Sequence, residues 1–169
     1  MTNNPQNIIL NQEQIQQKIR RIAFQIYEDN YQEQDIVFAG IKGSGYLLAQ
    51  ILQQEFYAQT RLRTKLIQVS LDKMQPVQSD VLLNVDIQEI ANKTIIVVDD
   101  VLNTGRTLLY SLKPFLDVRV RKLRTVVLVD RKHKNFPISA DYVGYSLSTT
   151  IHEHIDVFLE EENFGVFLS

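Results

Sequence analysis

Apolar residues recur along this chain at two periods, and the two periods alternate. In "NQEQIQQKIRRIAFQIYEDN" (11–30), Ile15, Ile19, Ile22, Ala23 and Ile26 fall at helical spacing. Asn11 stands where an N-cap would, so the spacing predicts an amphipathic helix. "DIVFAG" (35–40) is a short apolar run closed by glycine and reads as a buried strand. "GYLLAQILQQEFYAQ" (45–59) predicts a second helix and "TKLIQVSL" (64–71) a second strand. Residues 72–92 include Pro76, are mostly polar and lack periodicity, which predicts a mobile loop with an edge strand near 80–84. "TIIVVDD" (94–100) reads as a central strand, "RTLLYSLKPFLD" (106–117) as a helix, and "LRTVVLVD" (123–130) and "DYVGYSL" (141–147) as further strands. The tail from His154 to Ser169 reads as a closing hairpin or short strand pair.

Strands alternate with helices, and the middle strands are apolar on both faces. That pattern belongs to an α/β fold with a central twisted, mostly parallel sheet covered by helices. Ligands of such sheets bind outside the carboxyl ends of the strands. Three strand ends then converge on one rim, at 40–45, 99–107 and 130–134.

Composition narrows the chemistry. The 169 residues suit a single domain, 1–169, with a core large enough to need no staples. The absence of cysteine excludes disulfides, thiolate metal sites and cysteine nucleophiles. No apolar run approaches the ~20 residues that span a bilayer, and "MTNNPQNIIL" lacks the layout of a signal peptide. A cytoplasmic protein without a membrane partner is the simplest expectation. The net charge of −2 gives no bulk attraction to nucleic acid.

The most informative stretch is "TIIVVDDVLNTGRTLLYSL" (94–112). A turn of small and hydroxyl residues that opens a helix points free N–H groups outward, and the helix dipole adds to their pull on an anion. Thr104 and Thr107 add hydroxyl donors, and Gly105 permits close approach and positive φ. Asp99 and Asp100, just before this loop, would repel a phosphate but suit hydroxyl donors beside one. Sugar next to phosphate describes a phosphoribosyl ligand. A carboxylate pair after a strand is commonly only a loop or cap, so alternatives matter. No G-x-x-x-x-G-K-[ST] accompanies the acids, which removes the P-loop reading, and the glycines of "GIKGSG" lack dinucleotide-binding spacing.

"VVDDVLNTGRT" resembles the phosphoribosyl-pyrophosphate signature of the type I phosphoribosyltransferases, and "FAGIKGSGYLLA" (38–49) resembles their pyrophosphate loop. Within the family, "LNQEQIQQKIRRIAFQIYEDN" and "VDRKHKNFPISADYVGYSLST" (129–149) resemble the pyrimidine-operon attenuator/uracil phosphoribosyltransferase group. The resemblance implies a small hood built from about 1–33 and 131–169, and a mobile loop at about 71–92. It implies that Asp99 and Asp100 bind the ribose hydroxyls and, through these or water, Mg²⁺. Asn103, Thr104, Gly105, Arg106 and Thr107 would wrap the 5′-phosphate. Lys42, Gly43 and Ser44 would form the pyrophosphate loop, with a non-proline cis peptide expected near Lys42. Lys73 is the candidate catalytic cation of the mobile loop, against a solvated loop charge. Arg131, also assigned to catalysis, and Lys132 would reach ring oxygens or pyrophosphate. Tyr142 would stack on the base or fill the core. His133, His152 and His154 form no metal triad and read as surface or hood residues.

The implied reaction joins a base, uracil first, to phosphoribosyl pyrophosphate, in a homodimer or tetramer. Three departures qualify it. Asn103 stands where purine-salvage members carry an acid. Gly43-Ser44 replaces a basic residue, and "VSLDKM" replaces a run with a Tyr-Arg pair. The alternatives are a purine phosphoribosyltransferase, an RNA-binding nucleotide sensor and a ligand-binding protein without turnover. RNA would use the basic clusters Lys18/Arg20/Arg21, Arg61/Arg63/Lys65 and Arg119/Arg121/Lys122/Arg124.

Overall fold

The apolar runs serve two cores. In the computed structural model, which describes residues 7–75, 77 and 80–169, strand β2 (Asp35–Ile41) alternates between them. Ile36 and Phe38 face one core, and Val37, Ala39 and Ile41 face the other. Strands β3 (Arg63–Ser70), β5 (Thr94–Leu102), β6 (Lys122–Asp130) and β7 (Tyr142–Ser146) join β2 in one sheet with the two-residue β4 (Leu82–Leu83). The order is β4-β3-β2-β5-β6-β7, parallel throughout except for β4 at one edge. Helices α1 (Gln12–Asn30) and α2 (Ser44–Thr60) cover one face. The short helix α3 (Arg106–Ser111) and 3-10 turns at Ile87–Ile90 and Lys113–Leu116 contribute to the other.

The start of α1 is fixed locally. Asn11 Oδ1 accepts from the Gln14 N–H, and Gln14 Oε1 accepts from the Asn11 N–H, each at 2.9 Å. This reciprocal capping box satisfies two donors that a helix end otherwise leaves open. By contrast, the helix expected over 106–117 stops at Ser111. Pro114 cannot donate to the helical ladder and its ring crowds the preceding turn, so the chain tightens into a 3-10 turn there.

A second, antiparallel sheet has the order β1-β9-β8 and is built from β1 (Ile8–Asn11), β8 (Ile155–Phe158) and β9 (Gly165–Leu168). The closing pair of the tail is thus present, and β1 adds a strand that periodicity did not single out. Of the loop expected over 71–92, the described part contains β4 and the turn at Ile87–Ile90. Pro76 and residues 78–79 lie outside the described residues, as does the chain start at 1–6. Among the described residues no helix is long and apolar enough to cross a membrane.

One glycine sets how closely α2 lies on the sheet. A Cβ on Gly40 would stand 2.6 Å from the Tyr46 Cα and 2.8 Å from the Ala49 Cβ. Gly40→Ala therefore forces α2 away from β2. The expected loss is about 1–3 kcal/mol of stability, typical of an overfilled core, read as a lower urea midpoint with an unchanged slope.

Candidate active site

Strand β5 does not end at the acids. Its pairing with β6 continues to Leu102 opposite Asp130, so Asp99 and Asp100 lie inside the strand. Alternation slips at this point, because Val98 and Val101, three positions apart, face the same core. The carboxylates take part in the slip. Asp99 Oδ1 accepts from the Asp100 N–H, and Asp100 Oδ1 accepts from the Val101 N–H, each at 2.9 Å. Both side chains are thereby fixed at the rim. Gly45, at the start of α2, presses on this point. A Cβ there would lie 2.9 Å from the Val98 carbonyl oxygen and 3.0 Å from Asp99 Oδ1.

Asp99 is 2% exposed, and the cation that faces it is Lys73. The Lys73 ammonium lies 3.1 Å from Asp99 Oδ1 and 3.7 Å from Asp100 Oδ1. Burial pushes the Asp99 carboxyl up to about 8, the charge of Asp100 pushes it the same way, and the pull of Lys73 downward does not cancel them. For Lys73, burial alone would lower the pKa, but the two carboxylates outweigh it and hold the ammonium above the ordinary lysine value.

Beyond the acids the chain turns through Asn103 and Thr104 into α3. The Thr104 carbonyl accepts from the N–H groups of Asn135, at 2.8 Å, and Phe136, at 3.1 Å, which ties the turn to the segment after β6. Gly105 has φ 93°, and a Cβ there would meet Ile138 Cγ2 at 2.7 Å, so both backbone and packing exclude a side chain. The Arg106 guanidinium lies over the Phe136 ring, 5.3 Å from its centre. With only six residues, α3 adds little dipole, and since the Arg106 N–H already donates to Thr104 Oγ1 at 3.3 Å, an anion would be held mainly by the N–H groups of Thr107 and Leu108.

Lys73, Asp99, Asp100 and the run from Val101 to Leu108 line one cleft of about 380 Å³, closed on one side by Ile155 of β8. Asn103, Thr104, Gly105, Arg106 and Thr107 are therefore brought together with the acids and with Lys73. Lys42 lines an adjoining depression that shares Lys73. Gly43 and Ser44 line neither cleft. No cis peptide occurs among the described residues. The turn after β2 is made instead by Gly43, at φ 97° and ψ −138°, and Ser44 Oγ donates to the Val157 carbonyl at 3.4 Å.

Three expected site residues have other surroundings. Arg131 does not line the cleft, because its guanidinium is engaged by Thr149, Thr150, Glu153 and Asn103. The Lys132 ammonium lies 3.6 Å from Asp130 Oδ2. Tyr142 is a core residue and not a stacking platform. It is 5% exposed, and its hydroxyl donates to Asp29 Oδ2 at 2.6 Å. Burial, and then the Asp29 carboxylate, raise its pKa. Among the described residues no group of His, Cys, Asp or Glu is arranged to hold a metal by itself. Ile155 was not legible as a cleft residue, since a lone isoleucine in a short tail strand carries no signal for it.

The raised Asp99 pKa fixes a pH dependence. Between about pH 4 and 8 the folded state keeps a proton that the unfolded chain has released, so this group's contribution to stability is complete below pH 4 and is lost as pH rises through 8. Asp99→Asn removes that slope, which is at most about 1.4 kcal/mol per pH unit. Denaturant unfolding of both proteins from pH 5 to 9 should therefore show the variant gaining on the wild type as pH rises.

A protein-family model described as the phosphoribosyl transferase domain matches residues 5–162. A relative named "Bifunctional protein PyrR", from Staphylococcus epidermidis, is 39% identical over 166 residues, covering 92% of this chain and 93% of its own. Another of that name, from Actinobacillus pleuropneumoniae serotype 5b, is 37% identical over 162 residues, covering 90% and 89%. Among solved structures, a hypoxanthine phosphoribosyl transferase of Trypanosoma cruzi superposes with a TM-score of 0.80 at 18% identity, covering 99% of this chain and 92% of that one. At that identity the superposition shows the fold alone. The match over nearly the whole chain, on a fold with the acid pair and the Thr-Gly turn at one cleft, places the chain in the type I phosphoribosyltransferase family, in the group of the PyrR proteins.

Proposed function

We propose that the chain transfers the 5-phosphoribosyl group of phosphoribosyl pyrophosphate to a free nucleobase, with uracil the first choice. One observation carries this reading: acceptors suited to a sugar and donors suited to a phosphate share one cleft wall, at Asp99–Asp100 and Thr104–Thr107. A ring nitrogen of the base forms a bond to C1′ as the C1′–oxygen bond to pyrophosphate breaks. The departing electron pair stays on pyrophosphate. Asn103 cannot take up a proton at neutral pH, so the proton on the base nitrogen passes to solvent. That suits a base acidic enough to release it unaided.

Lys73 rests on the acids where ribose hydroxyls would bind, which makes it a resident cation at an anionic site. Arrival of the sugar displaces it toward the adjoining depression it shares with Lys42, and there it can offset charge on the leaving pyrophosphate. The same observation tests the fit of magnesium. An acid pair that already faces a positive charge, with no full protein cage among the described residues and with Asp99 able to give up its proton to a cation, suits Mg²⁺ held jointly with substrate oxygens. Asp99 and Asp100 would hold it through hydroxyls or water, and when bound it neutralises charge on the pyrophosphate.

The RNA reading draws on the word "Bifunctional" in the relatives' name. Much of the cationic surface it needs is already engaged. Arg63 pairs with Asp35 at 2.6 Å, Lys65 with Glu89 at 3.2 Å and Arg121 with Glu33 at 3.0 Å, while Arg21 donates to the carbonyls of Val143 and Gly144. Transfer is the reading better supported by the cleft.

Nucleotide formation with Mg²⁺, phosphoribosyl pyrophosphate and uracil, hypoxanthine, guanine, xanthine or adenine tests the proposal. The expected product is the uracil nucleotide. A purine nucleotide would keep the reaction and overturn the base, and no product from any base would end the enzyme reading. Lys73→Met should lower kcat by about 10²-fold, the scale for loss of one charge-stabilising donor. Its Kd for Mg²⁺-phosphoribosyl pyrophosphate, measured by calorimetry, should not rise, since the displaced cation is gone.

A further inference from the structure

Arg131 follows the last residue of β6 and is 8% exposed, yet among the described residues its guanidinium forms no salt bridge. All its side-chain bonds go to neutral oxygens. Nε donates to Thr149 Oγ1 at 2.9 Å. Nη2 donates to the carbonyls of Thr150, at 3.3 Å, and Glu153, at 2.6 Å. Nη1 donates to Asn103 Oδ1 at 3.0 Å. The Arg131 N–H donates to the Leu102 carbonyl at 3.2 Å, which holds the residue beside the turn it serves. The Glu153 carboxylate closes the 150–153 turn from within by accepting the Thr150 N–H at 2.7 Å. One planar fork thus joins the segment leading into β8 to the first residue after β5.

The chemistry at Asn103 follows from this. A guanidinium can only donate, so the carboxamide oxygen must be the atom that faces Arg131. The amide is oriented by its partner, and its NH₂ is left at the other end. Asn103 lines the cleft, and Nδ2 has no protein partner among the described residues. It therefore presents a hydrogen-bond donor, held in one orientation, between the acid pair and the segment at 149–153.

We infer that Arg131 is a positioning residue that locks the Asn103 carboxamide as a donor toward the incoming base, so that Asn103 selects bases offering an acceptor there, a carbonyl oxygen or an unprotonated ring nitrogen. This rests on the transfer reading above. The same fork couples the 149–153 segment to the phosphate turn, so the two order together.

Two variants separate the roles. Asn103→Asp keeps the bond to Arg131 but replaces the NH₂ donor with an acceptor. Arg131→Gln keeps the amide but frees its orientation. With the preferred base, each should raise KM by about tenfold, the scale of one hydrogen bond, with a smaller change in kcat. The double variant should be within twofold of the worse single, because Arg131 acts on the base only through Asn103. Unchanged KM in Asn103→Asp, or losses that multiply in the double variant, would overturn the inference.

Hydrogen exchange judges the coupling without turnover. Arg131→Gln should speed exchange at 149–153 and 103–107 together, by about tenfold or more, whereas Asn103→Asp should leave 149–153 as protected as in the wild type. Acceleration in one segment alone would contradict the coupling. If Arg131→Gln fails to fold, Asn103→Asp still decides the donor role, and Asn103→Ala, which removes the bond to Arg131, decides the coupling: it should speed exchange at 149–153, and unchanged protection there would overturn the coupling. Failure of the wild type to bind Mg²⁺-phosphoribosyl pyrophosphate would end the transfer reading, leaving exchange to judge the clamp.

Discussion

Two carboxylates side by side near the end of the central strand are the constraint around which the rest of this molecule is organised. A buried charge is costly unless it is paired or protonated. Here both remedies are at work: Lys73 sits over the acids, and the Asp99 pKa is raised to about 8. The slip in β5, the hydrogen bond each acid accepts from the next N–H, and the missing side chain at Gly45 all serve to keep the pair at the rim. A protein that needed only stability would place apolar residues there. In the proposed reading, a ligand at this site completes the pairing.

Around this pair the fold supplies parts from distant places in the chain. The parallel sheet puts the turns after β2, β5 and β6 at one end, and β8 of the second sheet reaches them through Ile155, which lines the cleft, and the Val157 carbonyl, which accepts from Ser44. Leu10, Val157, Leu159 and Val166 of the terminal segments pack into the core shared with α1 and α2, and the polar contacts between the parts include hydrogen bonds to backbone carbonyls. Ser44 reaches β8, Thr104 receives two N–H groups from the segment after β6, and Arg131 reaches across to 149–153. Such bonds set geometry at modest energy, which fits a cleft that must admit and release its ligand.

Much of this was legible in the sequence because the relevant signals are local. Continuous apolar runs announced strands buried on both faces, and Asn11 announced the start of α1. The acid pair and the Thr-Gly turn announced the cleft through donor and acceptor chemistry. What was not legible depends on partners far away in sequence. Arg131 reads as a rim cation ready for a ligand, but Thr149, Thr150 and Glu153 claim it. Tyr142 reads equally as a platform or a core residue, and only the position of Asp29 decides. The brevity of β1 hid it, and the pyrrolidine ring of Pro114, which lacks an N–H and crowds the preceding turn, shortened a helix whose apolar spacing continued past it.

The central claim is that Asp99 and Asp100 receive the ribose of a phosphoribosyl ligand. Calorimetric titration of Mg²⁺-phosphoribosyl pyrophosphate into the wild type and into Asp99→Asn/Asp100→Asn tests it most directly, with circular dichroism confirming that both are folded. Saturable binding to the wild type that disappears in the folded double variant is the predicted result. Equal affinity in the two proteins would contradict the account.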